Sequence, residues 1–380
     1  MKNEKSPSCS RGLLMGLAVV LTMLTSCNLP AADPDAPDLP EQSPPSKLCG
    51  DGVCDGPENR ENCPQDCAAQ DGQEPLPPAS DASPVVYLGI MVHLEGWEDD
   101  EDEAKFEKHV RLIREYADLF ESHGAKLTLE SKEVTDGIIK WGDNVLFEME
   151  ERGHGIGVHA DIGGQLTMDC DQMAADLRLE RVQLETLGVN VRHVSGNTSR
   201  CDWVQATIDA GYVFTTGQVA YSVMSMPIEN RPLEYRNCVS PSKCHDTFPS
   251  DLADRLHPWR TSDGADLLTH DPEGELVILS SSHVLRCMEE ELQGGVTGSG
   301  CTLTLNDIDL FEGELDKAIA LAEPDQVNIY YVGWSLGGAL DEDLLENWLQ
   351  RVDAYVERGE VEWMTLPEMY DVYVQWEQGG

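Results

Sequence analysis

Two short stretches carry most of the residues that could do chemistry. HLEGW at 93–97 offers His93 and Glu95, and GHGIGVHAD at 153–161 offers His154, His159 and Asp161 among three glycines. Side chains alternate along a strand. In VVYLGIMVHLE, Val86, Leu88, Ile90, Val92 and Leu94 share one face, and Tyr87, Gly89, Met91, His93 and Glu95 share the other. The same parity turns Ile156, Val158 and Ala160 outward and Gly157, His159 and Asp161 inward. His154, at the strand start, falls on the outward side and is structural. Two imidazoles and two carboxylates therefore aim at one volume. Such groups either pair as solvated His–carboxylate hydrogen bonds or hold a cation. Four of them converging, with His283 ending another strand, favour a divalent metal, and nitrogen with carboxylate oxygen suits Zn²⁺.

Strands and helices alternate from residue 84 onward, with helices expected at about 142–152, 169–187, 306–322, 340–358 and 367–377. Such alternation means a parallel sheet, either closed as a barrel or open and doubly wound. No GxGxxG or GxxxxGK[ST] motif stands between a strand and a helix, which weighs against a nucleotide-binding open sheet. His93 and Glu95, His159 and Asp161, Ser195 and Asn197, Thr215 and Thr216, His283 and Trp334 all end separate strands. That rim is where β/α barrels build active sites. The expected fold is α/β: a distorted parallel barrel of seven or eight βα units, preceded by a small disulfide-rich module. Residues 217–274 have too little apolar periodicity for a regular βα unit and read as a disulfide-braced lid or groove wall.

The region 84–380 resembles the polysaccharide deacetylases, the NodB-like carbohydrate esterases of the glycoside hydrolase/deacetylase barrel type. GHGIGVH is similar to their second motif, GHEIGxH, and HLEGW corresponds to a branch of their first. RHVSG at 192–196 has the Arg-to-Gly spacing of the third, and ILSSSH places His283 where a late catalytic His stands. The resemblance implies that Glu95, His159 and Asp161 bind the metal. It implies that His93 is the general base, that His283 protonates the leaving amine, and that Arg192 orients a partner beside them. Two positions depart from the pattern: Gly163 stands where the family has a second His, and His93 replaces an Asp. Trp97, Trp203, Trp259 and Trp334 either stack on sugar rings or pack as core, and Asn197 is a further candidate for substrate contact. The implied activity is metal-dependent removal of N- or O-acetyl groups from a cell-surface or extracellular polysaccharide. The alternative is a non-catalytic carbohydrate-binding surface lipoprotein on a degenerate barrel.

The N-terminus belongs to export. Lys2, Lys5 and Arg11 precede LLMGLAVVLTML, the length of a signal-peptide core. LTSC at 24–27 resembles a bacterial lipobox, which implies cleavage after residue 26 and a lipid anchor on Cys27; Asn28 resembles an outer-membrane sorting signal. Segments 27–48 and 68–83 are Pro- and Asp-rich linkers. Between them, CGDGVCDGPENRENCPQDC (49–67) resembles short Cys-rich repeats reminiscent of calcium-binding modules. There Asp51, Asp55, Glu58 and Asp66 either bind Ca²⁺ or are solvated acids on a disulfide knot.

Setting aside Cys9 and Cys27 leaves ten of the twelve cysteines, six of them between 170 and 301. An even set suits an oxidising compartment. Six cysteines allow fifteen connectivities. Short spacings suggest Cys238–Cys244 and Cys287–Cys301, and Cys170–Cys201 would join two rim loops. The net charge of −44, from 26 basic and 70 acidic residues, repels phosphate backbones and excludes nucleic acid as an expected partner. The acidic run WEDDEDE (97–103) suits either an amine-bearing substrate or a helix N-terminus, where acids are favoured by the helix dipole.

Overall fold

The computed structural model describes residues 84–164, 168–240, 243–280, 283–293, 301–336 and 342–379. Cys27, Asp51, Asp55, Glu58 and Asp66, and with them the segments 1–26, 27–48, 49–67 and 68–83, lie outside the described residues.

Regular βα alternation fills the first half. β1 (Val86–Leu94) leads into α1 (Glu103–Ser122), and β2 (Thr128–Ser131) into α2 (Glu133–Trp141) and α3 (Val145–Glu151). β3 (Gly155–His159) leads into α4 (Cys170–Glu185), β4 (His193–Ser195) into α5 (Trp203–Ala210), and β5 (Phe214–Thr215) into a long excursion holding α6 (Leu252–Arg255) and β6 (Trp259–Thr261). β7 (Leu276–Ile278), α7 (Met288–Leu292), α8 (Leu305–Leu321), β8 (Asn328–Ser335), α9 (Glu342–Glu357), β9 (Val361–Trp363) and α10 (Leu366–Gly379) complete the order. The helix expected near 142–152 is α3, capped by Asn144, which accepts from the Phe147 N–H. A further helix, α2, precedes it and ends at Gly142, φ 93°.

The sheet runs β6-β7-β5-β4-β3-β2-β1-β8, with β9 beside β1. All pairs are parallel except β6 with β7. The wall between β7 and β8 is closed by single contacts. Val284 bridges Gly333, and the Ile329 N–H donates to Leu256 O. Part of 217–274, expected as a lid or groove wall, is therefore wall itself, which is what distorts the barrel.

Alternation along β1 holds. Val86, Leu88, Ile90, Val92 and Leu94 join the large core beneath the helices. Met91 and Tyr87 belong to a smaller interior core with Phe214, Val277, Ile329, Tyr331 and, from α10, Leu366, Met369 and Tyr373. α10 thus plugs one end of the barrel, and the other end is left for polar side chains. Disulfides join Cys170–Cys201, Cys238–Cys244 and Cys287–Cys301, the pairings the spacings suggested. They suit an oxidising compartment. Among the described residues no helix is long and apolar enough to cross a membrane.

Candidate active site

The register stacks the interior side chains in layers. His93 of β1 lies level with Glu130 of β2 and Gly157 of β3, and His159 lies level with Ser195 of β4. Gly157 has a reason to be glycine: a Cβ there would sit 2.1 Å from His193 Nε2. The His193 ring lies over that gap, stacked on Phe214 at 4.6 Å. Gly155 leaves room in the same way for Pro367 of α10, which a Cβ would meet at 2.8 Å. The glycines of GHGIGVHAD are thus the floor under His159. His154 is buried at the strand start, its Nδ1 accepting from the Leu127 N–H and its Nε2 3.0 Å from Glu121.

At the centre stands Glu130, fully buried and not anticipated from the sequence. Its Oε2 is 3.1 Å from His93 Nε2 and accepts from the Ser195 hydroxyl. Its Oε1 accepts from Thr216 Oγ1 at 2.5 Å and lies 3.3 Å from His193 Nε2, which is not aligned for a hydrogen bond. Burial works against the charge, but His193 and His93 overcome it and hold the carboxyl below the usual range. An ionised Glu130 can only accept. Ser195 therefore spends its one proton on Glu130, and the bond of 2.8 Å between Ser195 Oγ and His159 Nδ1 must be donated by the histidine. That fixes a proton on Nδ1, so Nε2 is the nitrogen that faces the carboxylates beyond, protonated while they alone surround it and bare only when a metal takes the proton's place. His93 Nε2 faces two acceptors, Glu130 Oε2 at 3.1 Å and Ser195 Oγ at 3.5 Å, which keeps its proton there and leaves Nδ1 as its lone pair. Burial and the neighbouring His159 charge lower the His93 pKa despite Glu130. The two imidazoles are stacked, with centroids 3.8 Å apart.

His159 Nε2 is 3.4 Å from both Glu95 Oε2 and Asp161 Oδ1. Glu95 is lowered to about 2, chiefly by its hydrogen bond with His159, and Asp161 lies below the usual carboxylate range for the same reason. Burial opposes the charge on His159, yet Asp161 and Glu95 raise it to about 9. The volume attracts cations strongly enough to hold a proton. Asp161 does not arrive by strand parity, because β3 ends at His159; a left-handed backbone, φ 50°, turns its carboxylate back. Gly196 accommodates that turn, since a Cβ on it would sit 2.7 Å from Asp161 N.

The donor set fits a metal in kind and spacing. One ligand atom from each of Glu95, His159 and Asp161 lies within 4.8 Å of the other two, and the opposite nitrogen of His159 is anchored on Ser195. His93, Glu130 and His159 are equally close, but there both Glu130 oxygens, His93 Nε2 and His159 Nδ1 are already engaged by Ser195 and Thr216. Gly163 cannot carry the second His of the resembled pattern. At φ 110°, a Cβ there would meet Ser199 Cβ at 2.7 Å.

Other expected site residues lie elsewhere. Arg192 pairs with Asp371 at 2.6 Å and lies over Tyr370, so it fastens α10 rather than orienting a group of the cluster. Asn197 is fully buried, bonding Thr207 and Thr215 as a brace between loops. Trp334 is 3% exposed on the helix-facing side of β8, opposite in parity to Tyr331, so it packs in the outer core. Trp203 is also fully buried. Trp259 lines a separate cavity of about 580 Å³ with Tyr235, His257 and Trp376. Trp97 stacks on His109, which is paired with buried Asp99, and Asp102 caps α1. WEDDEDE is thus folded onto a helix N-terminus. His283 lies 3.1 Å from Glu291 and 3.2 Å from Thr247, on a cavity of about 880 Å³ shared with Arg255 and Glu314. Its described contacts do not reach His93 or His159.

Lys132 was also unforeseen. Its Nζ is 2.5 Å from Asp161 Oδ2 and 3.6 Å from Glu95 Oε2. Inward parity on AKLTLESK, applied as on β1, selects Thr128, Glu130 and Lys132 together and was the available signal for both missed residues.

Among solved structures, a protein from Mycobacterium smegmatis described as a polysaccharide deacetylase is similar in fold, with a TM-score of 0.50 at 12% identity. The match covers 78% of this chain and 92% of that one. A protein from Pseudomonas aeruginosa PAO1, also described as a polysaccharide deacetylase, gives a TM-score of 0.49 at 12% identity, over 78% and 94% of the two chains. Puue allantoinase gives 0.49 at 11% identity, over 78% and 93%. No family model matches the chain, and no curated protein matches it. What the likeness to the Mycobacterium protein establishes is the architecture, a deacetylase-type barrel.

Proposed function

We propose that the protein is a metal-dependent hydrolase that removes N- or O-acetyl groups from a cell-surface or extracellular polysaccharide. The observation that carries this reading is the meeting of Glu95, His159 and Asp161 beside the His93–Glu130 pair at the open end of a deacetylase-type barrel. A divalent metal, Zn²⁺ by the donor set, held by these three residues would supply a Lewis acid for an acyl carbonyl and for water.

The chain's own residues do the rest. His93, neutral and with Nδ1 free of described partners, accepts a proton from the attacking water and returns it to the leaving nitrogen or oxygen as its bond to the acetyl carbon breaks, as an imidazole suits near neutral pH. Glu130 holds that ring by Nε2 and offsets the positive charge it gains. Ser195 holds His159 with Nε2 towards the carboxylates. His283 and Arg192 take no part in this scheme, since their contacts lie with Glu291 and Asp371. Export, a lipid anchor on Cys27, the linkers, and a Cys-rich module with Ca²⁺ on Asp51, Asp55, Glu58 and Asp66 complete the proposal. It places the barrel at the cell envelope with a polysaccharide as its partner.

The test is acetate release by the full chain from acetylated chitin-like, peptidoglycan and exopolysaccharide chains, with and without chelator. The expected result is release that chelation suppresses and that His93→Ala and His159→Ala each reduce at least 100-fold. Glycan binding with no acetate released from any of them would favour the non-catalytic carbohydrate-binding reading instead.

A further inference from the structure

Lys132 is at odds with its place in the chain. It stands at the N-cap of α2 and makes no side-chain cap bond there. Lysine has no acceptor to offer the free N–H groups, and its charge opposes the helix dipole. The side chain instead reaches across to the site. Its Nζ takes Asp161 Oδ2 at 2.5 Å and lies 3.6 Å from Glu95 Oε2, the oxygen that also faces His159. Two carboxylates that would otherwise repel one another are thus bridged by an ammonium. Lys132, Glu95 and Asp161 side chains are 31%, 39% and 50% exposed, so water can receive the ammonium if it leaves.

We propose that Lys132 is a resident counter-ion of the Glu95–His159–Asp161 centre, which a divalent metal must displace from the carboxylates in order to bind. The proposal rests on the metal reading above and adds regulation to it. With the lysine in place, one of the two negative charges on Glu95 and Asp161 is offset without metal, and metal affinity is set by competition between the metal and the ammonium for the same oxygens. A site of this kind loads only when metal is plentiful, or when a ligand draws the lysine away.

The experiment is titration of the full metal-free chain with Zn²⁺ by calorimetry, and with Co²⁺ by visible absorption, for wild type, Lys132→Met, Lys132→Arg and Lys132→Met/His159→Ala. Opposite charges this close interact strongly enough that removing one should tighten metal binding at least tenfold. The expected result is tenfold or tighter binding in Lys132→Met, wild-type affinity in Lys132→Arg, and loss of the gain in the double variant. Equal affinities in wild type and Lys132→Met, both dependent on His159, would overturn the displacement proposal and leave the metal reading standing. No His159-dependent binding in wild type or Lys132→Met would overturn both.

Discussion

Glu130 is the residue on which the chemistry of the site turns. It is a buried carboxylate that fixes the proton of His93 and, through Ser195, the tautomer of His159. Replacing it with glutamine keeps the shape and removes the charge. Without that charge the imidazolium of His93 is less favoured, so the His93 pKa falls and the rising limb of the pH–rate profile moves to lower pH. The rate itself should fall about 10–100-fold, as when an orienting partner of a catalytic group is removed. A Glu130→Gln profile that falls in height without moving would show that Glu130 is structural only. His93 and His159 were legible from alternation alone, because each sits on a strand whose parity the sequence displays, and Glu95, one residue past the end of β1, was reached by extending that parity. Glu130 was missed although the parity of AKLTLESK points it inward, because one acid there is unremarkable until neighbouring strands surround it. Asp161 was placed correctly by the wrong means: a left-handed turn beyond the strand delivers it.

At the scale of the element, β3 shows how a strand can be built around space rather than side chains. Gly155 makes room for α10 and Gly157 for the His193 ring. Gly157→Ala should cost about 1–3 kcal/mol, the usual cost of an inserted methyl in a packed interior. Adding His193→Ala should recover much of that loss, since the two changes touch. Denaturant unfolding of the four proteins checks this, and strictly additive losses would count against the packing described. Helices α4, α8, α9 and α10 were readable to within a few residues from periodicity. The short helix α2 is the one not expected there; its nine residues offer little over two turns of periodicity before Gly142 ends it. Of the two readings open for Trp334 the structure shows core packing, which the end of a strand alone does not decide because it does not say which face a side chain takes; Arg192, assigned by resemblance, stands before β4, beside α10.

Across the whole molecule, β7 and β8 share no strand pairing, so single contacts close the barrel between them and the excursion 217–274 supplies part of that wall. That role was illegible because it depends on chain returning from far away in sequence. Disulfides brace the loops around it. Cys170–Cys201, spanning 31 residues, should contribute about 2–4 kcal/mol, read as the stability lost in a Cys170→Ser/Cys201→Ser variant. An unchanged unfolding midpoint would deny it that role. The net charge of −44 makes the surface hospitable to cations everywhere, so bound metal by itself is weak evidence for a site. Position is what matters. The most direct measurement is anomalous diffraction at the zinc edge from crystals of the protein equilibrated with Zn²⁺. The account predicts a peak among Glu95, His159 and Asp161, with the Lys132 ammonium withdrawn from both carboxylates. Peaks confined to the acidic surface, with Lys132 still bridging Glu95 and Asp161, would contradict it.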